Sequence, residues 1–301
     1  MASEQMENLK AVMKQMITAG LAPKFDETVD PFKLREVVHA AQLRMPRMPG
    51  VEFTAVDYNG VEGEKCTKAD MRNDYIVFYI HGGGLICGDA FSSRGFASTL
   101  VTETGCEVFT VSYRLAPEND IRAIYTDTFE FYKGIVDENP DTPVFLIGES
   151  GGAYLCYAVA MLARDNDVKI PAGIAPFSAP IDFCGRIDRN FEGNEDFTVN
   201  PAGMEMLAGI LDPKGIYTED IYAHPYLDDM KGLPPMLLAW DQNESLAVDQ
   251  DIVVEKVKAV GGEITYRSYP HCFHAFATSG RGTPEASEIL DDTLAFFEAH
   301  K

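Results

Sequence analysis

The stretch Gly148-Glu149-Ser150-Gly151-Gly152 carries the residue types most suited to chemistry. It follows the apolar run Pro143 to Ile147 and precedes a helical pattern from Tyr154 to Arg164, so Ser150 stands on a tight strand-to-helix turn. The glycines admit a turn too sharp for flanking side chains and leave the serine Oγ clear at its tip, as a nucleophile requires. Attack on an acyl carbonyl also needs donors for the charge that builds on its oxygen. His81-Gly82-Gly83-Gly84, directly after the apolar strand Tyr75 to Ile80, offers them. The unencumbered N–H groups of Gly83 and Gly84 would converge there with that of Gly151, just after the serine. Neither a Walker lysine nor a G-x-G-x-x-G spacing accompanies the glycine run, which argues against a phosphate loop.

A serine hydroxyl needs a base to take its proton. Of six histidines, His39 falls on an N-terminal helix and His300 at the terminus; His81 belongs to the glycine loop, and His224, before Pro225, reads as a structural turn residue. His271 and His274 remain, both in the loop between the last strand and the last helix, and position alone does not choose between them. The acid that orients the base belongs after the strand Pro235 to Trp240, where Asp241, Glu244 and Asp249 are candidates. Strand geometry slightly favours Asp241 or Glu244, because Asp249 falls within the following helix.

The elements that must position these groups alternate. Two helices come first, an amphipathic one through Leu9, Val12, Met13, Met16 and Ile17 that Gly20 stops, and a second from Pro31 to about Arg44. Strands are predicted at Val51 to Tyr58, Tyr75 to Ile80, Val108 to Ser112, near Ile174 to Phe177, and at Pro235 to Trp240 and Ile264 to Tyr269. Helices separate them near Ser93 to Thr104, Ile121 to Val136 and Leu246 to Val260, with a last one from Pro284. Such alternation means an α/β fold, a mostly parallel sheet with helices on both faces. Arg186 to Leu211 interrupts it with a polar loop and a Met-rich helix, Pro201 to Leu211, read as an insertion over the carboxyl ends of the strands.

A chain of 301 residues fits one large domain. Its 25 basic against 47 acidic residues, a formal charge of −22, repel polyphosphates and anionic membrane surfaces, so nucleic acid is not expected as a partner. Six cysteines, Cys66, Cys87, Cys106, Cys156, Cys184 and Cys272, lack paired spacing, so neither a disulfide framework nor a zinc knuckle is indicated; they read as reduced thiols of a cytoplasmic protein. Charges through the first twenty residues rule out a signal peptide there, and no apolar run approaches membrane-spanning length.

Taken together, His81 to Gly84, Tyr113-Arg114-Leu115-Ala116-Pro117-Glu118, Gly148 to Gly152, Leu233-Pro234-Pro235 and His274-Ala275-Phe276 resemble the hormone-sensitive-lipase-like branch of the α/β-hydrolase esterases, bacterial carboxylesterases with an HGGG motif. The resemblance spans nearly the whole chain and has departures. Glu149 stands where the family has aspartate, Gly151-Gly152-Ala153 replaces Ala-Gly-Gly, and Leu85 replaces an aromatic residue. The family's D-P-L-x-D-E segment corresponds to Glu244 through Asp249, which puts Glu244 at the acid position, and its H-G-F corresponds to His274-Ala275-Phe276. The resemblance thus implies catalytic Ser150, Glu244 and His274, an oxyanion hole at Gly83, Gly84 and Gly151, and hydrolysis of short-chain esters without metal or cofactor. It further implies a helical cap from residues 1–50 and the insertion at about 186–211, set on a catalytic domain of residues 51–301. Met13, Met16, Met204, Met206 and Leu207 are candidate wall residues, though a Met-rich stripe is more often ordinary packing. A homodimer is compatible with the resemblance but unmarked in the sequence. An amidase, formamidase or sugar deacetylase would use the same residues, and a non-catalytic ligand-binding protein is the alternative from another class.

Overall fold

The computed structural model describes residues 1–43 and 46–301; the expected end of the second helix, at about Arg44, lies outside them. Helix α1, Glu4–Thr18, starts at Ser3, whose side chain accepts the Met6 N–H. The chain reverses at Gly20, in the left-handed region at φ +69°. Helix α2, Pro31–Gln42, begins at Asp30, which accepts the N–H groups of Phe32 and Lys33, with proline in the first turn where its missing donor costs nothing.

Strands β1, Glu52–Tyr58, and β2, Val61–Thr67, form an antiparallel hairpin. The sequence reading has no strand at β2, yet its signal is present. Asn59-Gly60, with φ of +55° and +83°, is the two-residue turn whose twist matches a hairpin. β2 then pairs antiparallel with β4, Glu107–Val111. From there the sheet is parallel through β3 (Ile76–Ile80), β5 (Val144–Glu149), β6 (Gly173–Phe177), β7 (Met236–Asp241) and β8 (Ile264–Tyr269). The spatial order is β1-β2-β4-β3-β5-β6-β7-β8.

Strand periodicity divides the core in two. Phe78, Ile80, Leu146 and Ile174 point to one side, where they meet α4 (Ile121–Glu138), α5 (Gly151–Asp165) and α7 (Ala247–Ala259). Val77, Tyr79, Phe145 and Ile147 point to the other, against α3 (Arg94–Thr104) and α8 (Pro284–His300). Because both faces are covered, every residue of β3, β6 and β7 is buried. α5 is buried along most of its length, which fixes its first turn against the end of β5.

The remaining helix, α6 (Pro201–Leu211), belongs to the stretch after β6 that interrupts the alternation. That stretch joins the N-terminal segment. Phe25 and Val199 form a parallel bridge, the Phe25 N–H donates to Thr198 at 2.7 Å, and a Cβ on Gly203 would stand 2.0 Å from the Phe25 carbonyl oxygen. None of the described helices is long and apolar enough to cross a membrane.

The approach of α5 to β3 generates a prediction. A Cβ on Gly152 would lie 2.0 Å from the Ile80 carbonyl oxygen, so Gly152→Ala must push the helix off the sheet and should cost about 3 kcal/mol or more. Urea unfolding measures it, and an unchanged midpoint contradicts the packing described.

Candidate active site

Ser150 joins β5 to α5 with φ +53° and ψ −122°, a conformation costly for a residue with a Cβ. Its neighbours hold it there. The Ser150 N–H donates to the Phe177 carbonyl on β6 at 2.9 Å, and its own carbonyl accepts the Tyr154 N–H at 3.0 Å, which starts the helix. Only glycine fits at 148 and 152, where a Cβ would meet the Gly152 carbonyl at 2.6 Å and the Ile80 carbonyl at 2.0 Å. The Gly151 N–H is therefore at the first turn of α5, where helix donors lack internal partners and the helix dipole is positive.

The glycine loop after β3 lies alongside. Gly83 and Gly84 have φ of +104° and +60°, and a Cβ on either would collide, with the Cys87 carbonyl at 2.3 Å or the Phe25 ring at 2.7 Å. Three braces hold this loop. The Gly82 N–H donates to Glu149 Oε1 at 2.8 Å, tying the loop to the residue before the serine. The Tyr113 hydroxyl donates to the His81 carbonyl at 2.7 Å, and its ring stacks on the His81 ring at 4.2 Å. Arg35 of α2 donates to the Ile86 and Ala116 carbonyls, each at 2.8 Å, and pairs with Glu118. The Tyr-Arg-Leu-Ala-Pro-Glu stretch thus supports the loop, while Arg114 itself is structural, in a bidentate pair with Asp127.

Of the two histidines in the loop after β8, only His274 faces Ser150, with which it lines one cavity. His271 is half-buried at the surface and its Nδ1 is 3.2 Å from Glu195. His274 Nδ1 donates to Glu244 Oε2 at 3.0 Å, while its Nε2 is buried without a protein partner. The other acids are engaged elsewhere. Asp249 is paired with Arg189 at 2.7 and 2.9 Å and accepts the Ile181 N–H; Asp241 accepts the Asn243 N–H in the turn. Burial opposes protonation of His274, but the Glu244 carboxylate, helped by Asp196 and Glu149, outweighs it and holds the imidazole above its ordinary value. Burial pushes the Glu244 carboxyl up, against the pull of His274.

Two spaces meet at Ser150. The larger, about 450 Å³, is bordered by His274, Gly83, Phe96 and Phe273, with Met13 and Phe25 from the N-terminal segment. The smaller, about 10 Å³, is an apolar recess between Gly84 and Gly151 on one side and Phe25, Met204, Leu207 and Phe183 on the other. Met13, Met204 and Leu207 therefore reach the site; Met16 and Met206 line neither space.

With this geometry in view, comparison with known proteins is decisive for the family. Residues 77–278 match the family described as alpha/beta hydrolase fold. The chain belongs to it. An esterase of Acinetobacter venetianus is 26% identical over 295 residues, covering 96% of this chain and 93% of the relative. An acetyl-hydrolase of Streptomyces hygroscopicus is 26% identical over 251 residues, 83% of either chain. The hydrolase fold also superposes on the crystal structure of an esterase from the bacterial hormone-sensitive lipase family with a TM-score of 0.88, at 22% identity over 100% of this chain and 99% of that one.

Sequence reasoning missed three parts of this hydrolase site. Tyr113 was a family marker without a role, and Asp196 was one acid in a polar loop. Glu149 reads in the sequence only as a replacement for aspartate, because its bond to the Gly82 N–H forms only in the folded chain. Burial pushes its carboxyl from 4.5 up to about 7. Over that window the folded chain keeps a proton that the unfolded chain has released, so the stabilisation is complete below pH 4.5 and is lost as pH rises through about 7. Glu149→Gln keeps an acceptor for Gly82 and removes the titration. Its Tm should therefore gain on the wild type as pH rises from 5 to 8, and parallel pH profiles for the two proteins would count against a buried, titrating Glu149.

Proposed function

We propose that this chain is a serine carboxylesterase that hydrolyses small-molecule esters of short acyl groups through an acyl-enzyme. The observation that carries the reading is His274, held by Glu244 through Nδ1, with its Nε2 unpartnered in the cavity that Ser150 borders. A base so held can take the Ser150 proton as Oγ attacks the acyl carbon, while Glu244 stabilises the imidazolium. Gly83, Gly84 and Gly151 receive the oxyanion. His274 then protonates the leaving alcohol and afterwards activates the water that releases the acid. The names of the relatives, an esterase and an acetyl-hydrolase, support the same chemistry.

In this reading the two halves of the ester go to the two spaces. His274 must reach the leaving oxygen, and it borders only the larger cavity, so the alcohol occupies that one. The acyl group then faces the small recess, which at about 10 Å³ has room for roughly one water-sized group. That supports acetyl and similar acyl groups over long chains. In this reading the two N-terminal helices and the insertion carrying α6 form a cap over residues 51–301, and Phe25, Met204 and Leu207 are its contribution to acyl choice. The six unpaired cysteines fit a reducing, cytoplasmic setting.

Hydrolysis of p-nitrophenyl esters from acetate to decanoate should peak at the shortest chains and vanish in Ser150→Ala. Turnover that survives in this variant, or faster turnover of anilides and sugar acetates than of simple esters, would point to another site or another substrate class. Leu207→Ala opens the recess. At about 0.8 kcal/mol per methylene accommodated, the kcat/KM ratio of butyrate to acetate should rise on the order of tenfold, and an unchanged ratio would place the acyl group elsewhere. Glu244→Gln should lower kcat by about 10³-fold or more. Because the Glu244 charge holds His274 above its ordinary value, the acid limb of the residual activity should also move to lower pH. A limb that stays in place contradicts the pairing.

A further inference from the structure

Three side chains that border neither space at Ser150 gather at the foot of the insertion. Asp182 and Cys184 lie in the loop after β6, and His224 precedes the helical turn Pro225–Leu227. Asp182 Oδ1 is 3.1 Å from Cys184 Sγ, Sγ is 3.5 Å from His224 Nδ1, and Nδ1 is 3.7 Å from Oδ1. Asp182 and His224 are buried and Cys184 is partly so. Among the described residues this is the one group of three or more His, Cys, Asp and Glu side chains whose ligand atoms draw together in this way. From these residues we propose a binding site for a thiophilic divalent cation, zinc before others, held by the Asp182 carboxylate, the Cys184 thiolate and His224 Nδ1.

The dimensions support it. Tetrahedral zinc, with bonds of about 2.3 Å to sulfur and about 2.0–2.2 Å to nitrogen and oxygen, sets donor-to-donor edges at roughly 3.3–3.6 Å. The observed triangle departs from those edges by a few tenths of an ångström, so a cation could touch all three donors with little movement of the backbone. The carboxylate is already oriented. Its Oδ1 accepts the Cys184 N–H at 2.9 Å, and its Oδ2 accepts those of Arg186 and Ile187 at 2.5 and 2.9 Å. Cys184 and His224 also border a separate cavity of about 220 Å³ beside Leu211, Asp212 and Gly215, which gives an entry path and room for a water as fourth ligand.

The protons balance. Without a cation, the Cys184 thiol keeps its proton and donates it to Asp182 Oδ1. His224 Nδ1 accepts the Phe183 N–H at 3.1 Å, so that nitrogen carries no proton to lose. Binding therefore forms one bond to each donor, releases a single proton from sulfur, and displaces the Phe183 N–H from the imidazole. The Phe183 side chain borders both this cavity and the recess at Ser150, so the site lies one residue from the acyl wall.

The test is cadmium and zinc titration of the full chain after chelator treatment. Cadmium should give a thiolate charge-transfer absorption that saturates at one equivalent with release of one proton per chain, and zinc should displace it with no further proton released. Cys184→Ser should abolish the band while leaving the Tm and the metal-free ester hydrolysis unchanged, since serine keeps a donor for Asp182 and the other five cysteines remain. His224→Gln should weaken cadmium binding by tenfold or more, and if it does not fold, the Cys184→Ser result decides alone. No saturating band in the wild type, or a band that persists in Cys184→Ser, overturns the site. Because the readout is binding, these outcomes are independent of whether the chain hydrolyses esters.

Discussion

Everything at this site depends on the turn at Ser150. A serine at φ +53° is tolerated only because its surroundings leave the chain no alternative. β5 is locked between two parallel neighbours, α5 is buried along its length, and the carbonyls of Ile80 and His81 come so close to Gly152 that a single methyl group would be excluded. The closeness is what places the glycine loop beside the serine. The same backbone atoms that forbid a side chain at 152 belong to the strand and loop that carry Gly83 and Gly84. Strain is also concentrated around this point. Of nine non-glycine residues with positive φ among those described, Leu85, Ser150, Ser178, His271 and Ala275 all lie in loops following the carboxyl ends of β3, β5, β6 and β8.

Charge at the site follows from burial. Two glutamates, Glu149 directly before the serine and Glu244 bonded to His274, are both pushed up by burial. They differ in what they hold. Glu244 bonds the imidazole, whereas Glu149 bonds the backbone of the glycine loop and the Tyr79 hydroxyl at 3.1 Å. One carboxylate thus raises the proton affinity of His274, and the other fixes the shape of the loop. Asp196, which organises the turn at Thr198 and Val199 and accepts the Ser245 N–H at 3.1 Å, brings a further negative charge from the insertion toward His274. The segment that walls the small recess at Ser150 therefore also raises the proton affinity of His274.

The glycine-flanked serine, the glycine run and the parallel sheet were legible in the sequence because each is written in contiguous residues. Glycine marks turns that no other residue can make, and long apolar strands between helical patterns leave one sheet type. The choice of Glu244 and His274 came from register against a family pattern, and the structure brings both together with Ser150 while Asp249 goes to Arg189 and His271 to the surface. What stayed hidden was set by contacts between distant segments. β2 is half-exposed and polar, so its strand signal was weak despite the Asn59-Gly60 turn. Tyr113 acts through a stacking partner 32 residues away. Asp182, Cys184 and His224 have no ligand spacing in sequence, since the loop after β6 and the approach to Pro225 meet only in the folded chain.

The central claim is that Ser150 is the nucleophile and carries the acyl group between the two half-reactions. Rapid quenching of the full chain with p-nitrophenyl acetate, followed by peptide mass spectrometry, tests it directly. The account predicts a single acetyl group on the Ser150 peptide, formed within the first turnover and accumulating further in His274→Ala pulsed with an activated ester, where no base is left to deacylate it. Acetylation confined to another residue, or turnover with no acyl-enzyme at any quench time, would contradict it.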